Sequence, residues 1–414
     1  MSSEGLATTE RPGRSTKFCP QLTSARFFAA AVVVLYHYHK ELSPLMPDGS
    51  ATVFRNLIDR GFVGVTFFFV LSGYILSLNY LDKFKSKAVS LSSFFVARFA
   101  RIYPLYIASV IFCIPYVFTN PALSPHGQDI INLRAHPFSA SLMYLLGAES
   151  HWPAEVGRLT VLPSWSISTE FFFYLLFPAF AWLVARLTRR HAQVGLVLVA
   201  LWSLAIAVVF QFAALSKVLF FIPPERVAVI NDFVFQKMSS GIHSNWPLFA
   251  IGMLTYKGFE GELSPVMRKW LPRLLLFFWI TTPVWYALQP RFIFSDMFFM
   301  TKLFDSLPLC VLTIMWLHKG SGSLHSWLGN KTLVLLGEIS FALYLVHSPV
   351  RLAGRFFVAQ RLGIQEASPL FYVPMWAISL LLSWVAWKYI EVPARSAILG
   401  AWKRKQAERQ PSTV

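Results

Sequence analysis

Residues 22–39 read LTSARFFAAAVVVLYHYH, an apolar run that nonetheless holds Arg26 and His37. A run of this length is close to what a helix needs to cross a bilayer. An ionisable side chain in hydrocarbon is expensive, so a cation and an imidazole placed there point to polar chemistry rather than to packing. The pattern recurs down the chain, where Glu170, Lys302, Asp305, Glu338 and His347 lie within or beside other apolar stretches. The sequence therefore reads as a membrane protein with polar groups in its interior.

Composition agrees. Of 414 residues, 55% are hydrophobic, 16% aromatic and only 14% charged, and the mean hydropathy is +0.52. Soluble domains do not combine those values. The formal net charge of +17 raises the possibility of nucleic acid. However, the Lys and Arg residues cluster in short stretches between apolar runs, as cytoplasmic loops do, so no nucleic-acid partner is expected. Cys19, Cys113 and Cys310 have no paired spacing, which argues against a disulfide framework or a zinc site; no metal is expected. A polar N-terminal stretch precedes the first apolar run and no small-residue cleavage site follows it, so the run reads as a retained span rather than a signal.

Apolar runs predict ten spans, near 22–39, 61–80, 103–119, 165–187, 194–216, 246–258, 271–288, 302–317, 332–350 and 370–390. Arg11, Arg14 and Lys17 precede the first, while Lys83, Lys85, Lys87, Arg98 and Arg101 fill the loop between the second and third. The positive-inside rule puts both in the cytoplasm. Continued alternation places Arg186, Arg189 and Arg190, then Arg268 and Lys269, then Lys319 and Lys331, and finally Lys403 to Lys405 on the same side. Arg351, Arg355 and Arg361 fall outside and fit this scheme least well. The stretch 138–147 is apolar but too short to cross and reads as re-entrant or interfacial. The expected fold class is all-α: a polytopic helical bundle of about ten transmembrane helices spanning 18–402. Short cytoplasmic tails at 1–17 and 403–414 flank it, and the location is a bacterial inner membrane.

Arg26 and His37 are eleven residues apart, close to three helical turns. They share a face and are separated by roughly 16 Å along the axis. They mark two ends of a pathway, or else a snorkelling arginine and an interfacial histidine.

Further motifs follow in order. GFVGVTFFFVLSGY runs from Gly61 to Tyr74; Arg98 and Arg101 form Arg-x-x-Arg; Trp165, Ser166 and Glu170 form Trp-Ser-x-x-x-Glu; SFALYLVHSPV runs from Ser340 to Val350; and Ile390-Glu391-Val392-Pro393 closes the set. With the Arg26/His37 spacing, this series resembles the acyltransferase-3 family of integral-membrane O-acyltransferases from about residue 20 to 396. One departure is that Glu170 is followed by Phe171, Phe172, Phe173 and Tyr174, where many members carry a second carboxylate or an amide. Nothing after residue 396 is long enough for the extracytoplasmic domain fused to many members. The resemblance implies the stand-alone type, similar to acetyltransferases of xanthan-type and succinoglycan-type exopolysaccharides.

That resemblance implies acetyl-CoA as donor and, as acceptor, a lipid-linked oligosaccharide or growing polysaccharide at the outer face, with membrane lipid and polysaccharide-assembly proteins as further partners. Arg98 and Arg101, one turn apart, suit the phosphates of the donor, with Arg26 as a third contact; the other reading is a pair of topological anchors. His37 is the candidate general base and Glu170 the carboxylate that orients it; otherwise Glu170 is a buried partner of some arginine. Trp165, Ser166 and His347 are candidates to line the acceptor pocket, and His347 otherwise has an interfacial role. His39, on another face, is a reserve base. Lys302 and Asp305 are expected to neutralise each other, and Ser72 and Gly73 to permit close helix approach. A secondary transporter or flippase of a polysaccharide precursor or acyl group is the alternative, although no repeated pair of broken helices supports it. A lipid-linked glycosyltransferase is disfavoured because residues 40–60 offer only the isolated acids Glu41, Asp48 and Asp59.

Overall fold

The structure is a computed structural model that describes residues 18–42, 50–118, 127–151, 163–214, 242–288, 306–359, 362–364 and 368–409. Among the described residues every regular element is helical and there is no strand. The first half comprises α1 (Pro20–Leu42), α2 (Ser50–Ile58), α3 (Val63–Lys85), α4 (Leu91–Val117), α5 (Gly127–Ala135), α6 (Pro137–Leu146), α7 (Trp165–Val184) and α8 (Arg189–Ala214). The second half comprises α9 (Ile242–Gly258), α10 (Pro265–Leu288), α11 (Ser306–Lys319), α12 (Ser323–Leu328), α13 (Lys331–Gly354), α14 (Pro369–Ala386) and α15 (Val392–Arg409). A π-helical turn, Trp387–Glu391, joins α14 to α15 without a break.

Helices lie at the positions of all the expected spans, although residues 302–305, with Lys302 and Asp305, fall outside the described residues. Among the described residues, five helical segments are long and apolar enough to cross a membrane: Asn56–Lys85, Leu91–Pro115, Trp165–Val184, Lys331–Gly354 and Pro369–Arg409. The α6 helix, covering the stretch read as re-entrant or interfacial, has ten residues, about 15 Å and half a hydrocarbon core. It stops at Gly147, whose φ of 61° is left-handed. Its last turn is held against the middle of α4, where Tyr103 and Tyr106 donate to the Leu145 and Tyr144 carbonyls.

The α3 helix is the axis of the bundle: 72% of its apolar window is buried, against 28% for the last segment. Glycines set how closely its neighbours approach. A Cβ on Gly73 would lie 2.0 Å from the Phe249 carbonyl oxygen of α9, and one on Gly252 would lie 2.0 Å from the Val70 oxygen of α3. Backbone therefore meets backbone, as small residues permit between membrane helices. Gly64 gives α1 the same access to α3, and Gly337 lets α13 approach Thr23 of α1. The expectation for Gly73 is met; Ser72 has a different role. Elsewhere, large apolar side chains such as Leu198, Trp202, Leu276 and Trp279 are exposed, as on a lipid-facing surface. Pro104, Pro178 and Pro349 lie inside helices, which membrane bundles tolerate where the freed backbone groups find other partners.

Contacts also gather one set of helix ends. Cys19 at the start of α1 donates to the Leu317 carbonyl near the end of α11, and Gln21 meets His325 of α12. Lys319 binds the Phe259 and Gly261 carbonyls just beyond α9, and Gln193 at the start of α8 binds the Gly258 oxygen. This is the end to which the alternating scheme assigns the basic loops.

Candidate active site

Helices α1, α3, α4, α7 and α13 enclose a cavity of about 130 Å³. On α3 its wall runs from Val65 to Leu76, residues eleven positions apart and so about 16 Å along the helix. The α7 helix runs parallel to α3, because Phe69 meets Trp165, Ser72 meets Glu170 and Tyr80 meets Phe177 in register. The α4 helix runs antiparallel to α3, with Arg98 against Tyr80. Arg98 and Arg101 therefore line the Leu76 end, and Ser166 and Tyr344 line the Val65 end.

Three guanidiniums project into this space from two helices, Arg26 from α1 and Arg98 and Arg101 from α4. Their environments differ. Arg101 is ion-paired with Glu391, whose side chain is only 2% exposed. Arg98 donates to Tyr80 Oη at 3.2 Å. It also lies over the Tyr80 and Tyr174 rings at 5.3 and 5.8 Å, where ring quadrupoles favour a cation. Its Nε is buried with no partner among the described residues. Arg26 likewise has no hydrogen bond or ion pair among the described residues. Two guanidiniums that are not ion-paired among the described residues thus line one cavity, a disposition suited to an anion with several acceptor oxygens.

Glu170 lies in the same cavity. Its Oε1 accepts from Ser72 Oγ at 3.1 Å and from Tyr174 Oη, one turn along α7. The structure thus brings Glu170 together with the arginines. His37 is brought together with His347 instead: His347 Nε2 is 3.0 Å from His37 Nδ1 and the ring centroids are 5.0 Å apart. His37 is not among the described residues that line the cavity. His347 is fully buried. Ser166 lines the cavity, its Oγ 2.7 Å from Tyr344 Oη; Trp165 packs edge-on against Phe69 behind the wall. The side chain of His39 lies outside the described residues.

Tyr344 connects the two groups. It faces Ser166 in the cavity and stands one turn before His347, ring centroids 6.1 Å apart. Glu391, Tyr80 and Tyr174 are site residues that sequence reasoning missed. Glu391 belongs to the Ile390-Glu391-Val392-Pro393 motif, and the signal for it is a carboxylate directly after the last apolar run, 370–390. No clusters of His, Cys, Asp or Glu able to hold a metal occur among the described residues.

A membrane-helix bundle with a cation-lined interior cavity and an adjacent imidazole pair is the class of protein defined so far. The acyltransferase-3 profile, described as an acyltransferase domain, matches residues 20–388, and the chain belongs to this family. It is 23% identical over 388 residues to O-acetyltransferase OatA of Staphylococcus aureus, covering 92% of this chain and 58% of that protein. It is 26% identical over 360 residues to acyltransferase MdmB of Streptomyces mycarofaciens, 83% of this chain and 82% of that one. Peptidoglycan O-acetyltransferase OatA of Listeria monocytogenes is 23% identical over 401 residues, 92% of this chain and 56% of that protein. The chain thus spans a little over half the length of the OatA proteins it matches. No solved structure matches it.

Proposed function

We propose that this chain is a membrane O-acetyltransferase that moves an acetyl group from cytoplasmic acetyl-CoA to a sugar hydroxyl of a lipid-linked or growing exopolysaccharide at the outer face. The observation that carries the reading is the single cavity holding Arg26, Arg98 and Arg101, with His37 about three turns along α1 from Arg26. Arg98 and Arg26 grip the donor's phosphate oxygens, and Arg101, shared with Glu391, adds to the field. A cavity of this size takes the phosphates and leaves the bulk of the nucleotide outside. The acyl arm extends along α3 past Tyr344, bringing its thioester to His37. There His37 takes the proton of the sugar hydroxyl, the oxygen attacks the thioester carbonyl, and the carbon–sulfur bond breaks. CoA then leaves as the thiol by taking up that proton. A covalent acetyl on His37 is the other order of the same exchange. Ser166, at the outer end of α7, faces the acceptor side, and Trp165 backs that wall through Phe69. About ten helices cross the membrane, with both termini in the cytoplasm of a bacterial inner membrane. The names of the OatA relatives, one of them a peptidoglycan O-acetyltransferase, support a carbohydrate acceptor.

Membranes incubated with acetyl-labelled CoA test the reading. Label in glycan is expected, abolished by His37→Ala at unchanged protein abundance and little affected by His39→Ala. Glycan that moves across the membrane without gaining label indicates a transporter or flippase instead.

A further inference from the structure

We propose that His347 is the positioning residue for His37: it fixes the proton of His37 on Nδ1 and so makes Nε2 the nitrogen that accepts the hydroxyl proton. The inference rests on the acetyl-transfer reading for its chemistry and on the following geometry for its content.

His347 Nδ1 lies 3.1 Å from the Leu343 carbonyl oxygen, one turn back on α13. A carbonyl only accepts, so the proton of the neutral ring is on Nδ1 and Nε2 presents a lone pair. That lone pair is 3.0 Å from His37 Nδ1. His37 Nδ1 must therefore donate, which places the lone pair of neutral His37 on Nε2. The chain of reasoning starts at a backbone group that cannot change its role, so the polarity of the whole relay is set by the fold.

The surroundings hold the relay in place. His347 is fully buried, and its own carbonyl accepts from Tyr38 Oη at 3.2 Å. Tyr38, next to His37 on α1, also meets Ser379 of α14 at 3.4 Å. Near the other end of the α1/α13 contact, Gly337 sits where a Cβ would lie 1.9 Å from the Thr23 oxygen. Both ends of the parallel pair are thus pinned, and the two imidazoles cannot slide apart without breaking buried contacts. An imidazole behind the base does here what a carboxylate does in the Ser-His-Asp arrangement, namely select tautomer and orientation.

Two variants separate positioning from packing. Glutamine places a side-chain carbonyl oxygen near the Nε2 position, whereas phenylalanine fills the volume without an acceptor. In membranes given labelled acetyl-CoA, His347→Phe is expected to lower kcat by roughly a hundredfold or more with the KM for acetyl-CoA unchanged, and His347→Gln to recover most of the loss. A Phe variant as active as wild type, or a Gln variant no better than Phe, overturns the proposal. Nitrogen-15 shifts of labelled histidine in the wild-type protein give a reading independent of turnover: a protonated Nδ1 on His37 is expected, and a protonated Nε2 overturns the proposal. Wild-type membranes that transfer no label to glycan refute the acetyl-transfer reading, while the nitrogen shifts still decide the histidine pair.

Discussion

Arg101 and Glu391 lie 290 residues apart and form an ion pair in which the carboxylate is almost completely buried. Glu391 sits in the last residue of a π-helical turn. Turns of this kind are often found at functional sites. The pair ties α4 to the junction of α14 and α15 at the arginine-lined end of the cavity.

Removing one partner of such a pair strands the other. Breaking a buried pair costs roughly 3–5 kcal/mol. Glu391→Ala is expected to lower thermal stability in detergent, whereas Arg101→Met combined with Glu391→Leu should restore stability without restoring acetyl transfer. Equal stability of the single variant and wild type shows the pair to be incidental.

Arg98 makes contacts with tyrosines, and its Nε has no partner among the described residues. Arg98→Ala is expected to spare folding and weaken acetyl-CoA binding by about ten- to a hundredfold, the equivalent of one charge-assisted contact of ~1.5–3 kcal/mol. Lysine should rescue only in part, because it lacks the planar fork. Unchanged CoA affinity, read by calorimetry on the purified protein, returns Arg98 to a role as a topological anchor.

The helix-forming runs, the basic loops and the one-turn spacing of Arg98 and Arg101 were legible because each is a local pattern of period or charge. What the sequence did not disclose is how distant runs face one another. The sequence puts Arg98 and Arg101 in a cytoplasmic loop and pairs Glu170 with His37 rather than with them. In the structure they share a cavity because α7 lies in register with α3, Ser72 opposite Glu170 and Tyr174 opposite Arg98. His347 is expected from the sequence at the acceptor pocket, and the structure adds a hydrogen bond to His37 that spans 310 residues. A pairing of that kind depends on the α1/α13 crossing, which no local pattern encodes.

Gly73 tests a different crossing, that of α3 with α9. An added Cβ meets backbone atoms, Phe249 O and Met253 N, which cannot rotate away. Gly73→Ala is expected to cost about 1–3 kcal/mol as overpacking and to lower the thermal midpoint of the detergent-solubilised protein. A Gly73→Ala protein with wild-type stability means that α3 and α9 separate more readily than their contact implies.

Orientation is open to direct labelling in a background lacking Cys19, Cys113 and Cys310. Cysteines at Ser43 and Gly49 should react with an impermeant thiol reagent from outside, and cysteines at Ser86 and Ser412 only after permeabilisation. If the segment following His37 labels from the cytoplasm, acetylation precedes translocation of the glycan.

Tyr344 and His347 stand one turn apart on a single continuous helix. The helix fixes the spacing of their backbones, so a shift of this turn of α13 as a body carries the phenol and the imidazole together. An acyl arm that passes between Tyr344 and Ser166 must break their 2.7 Å contact. On the proposed reading, one turn of α13 therefore carries both the contact that the donor must part and the imidazole that faces His37.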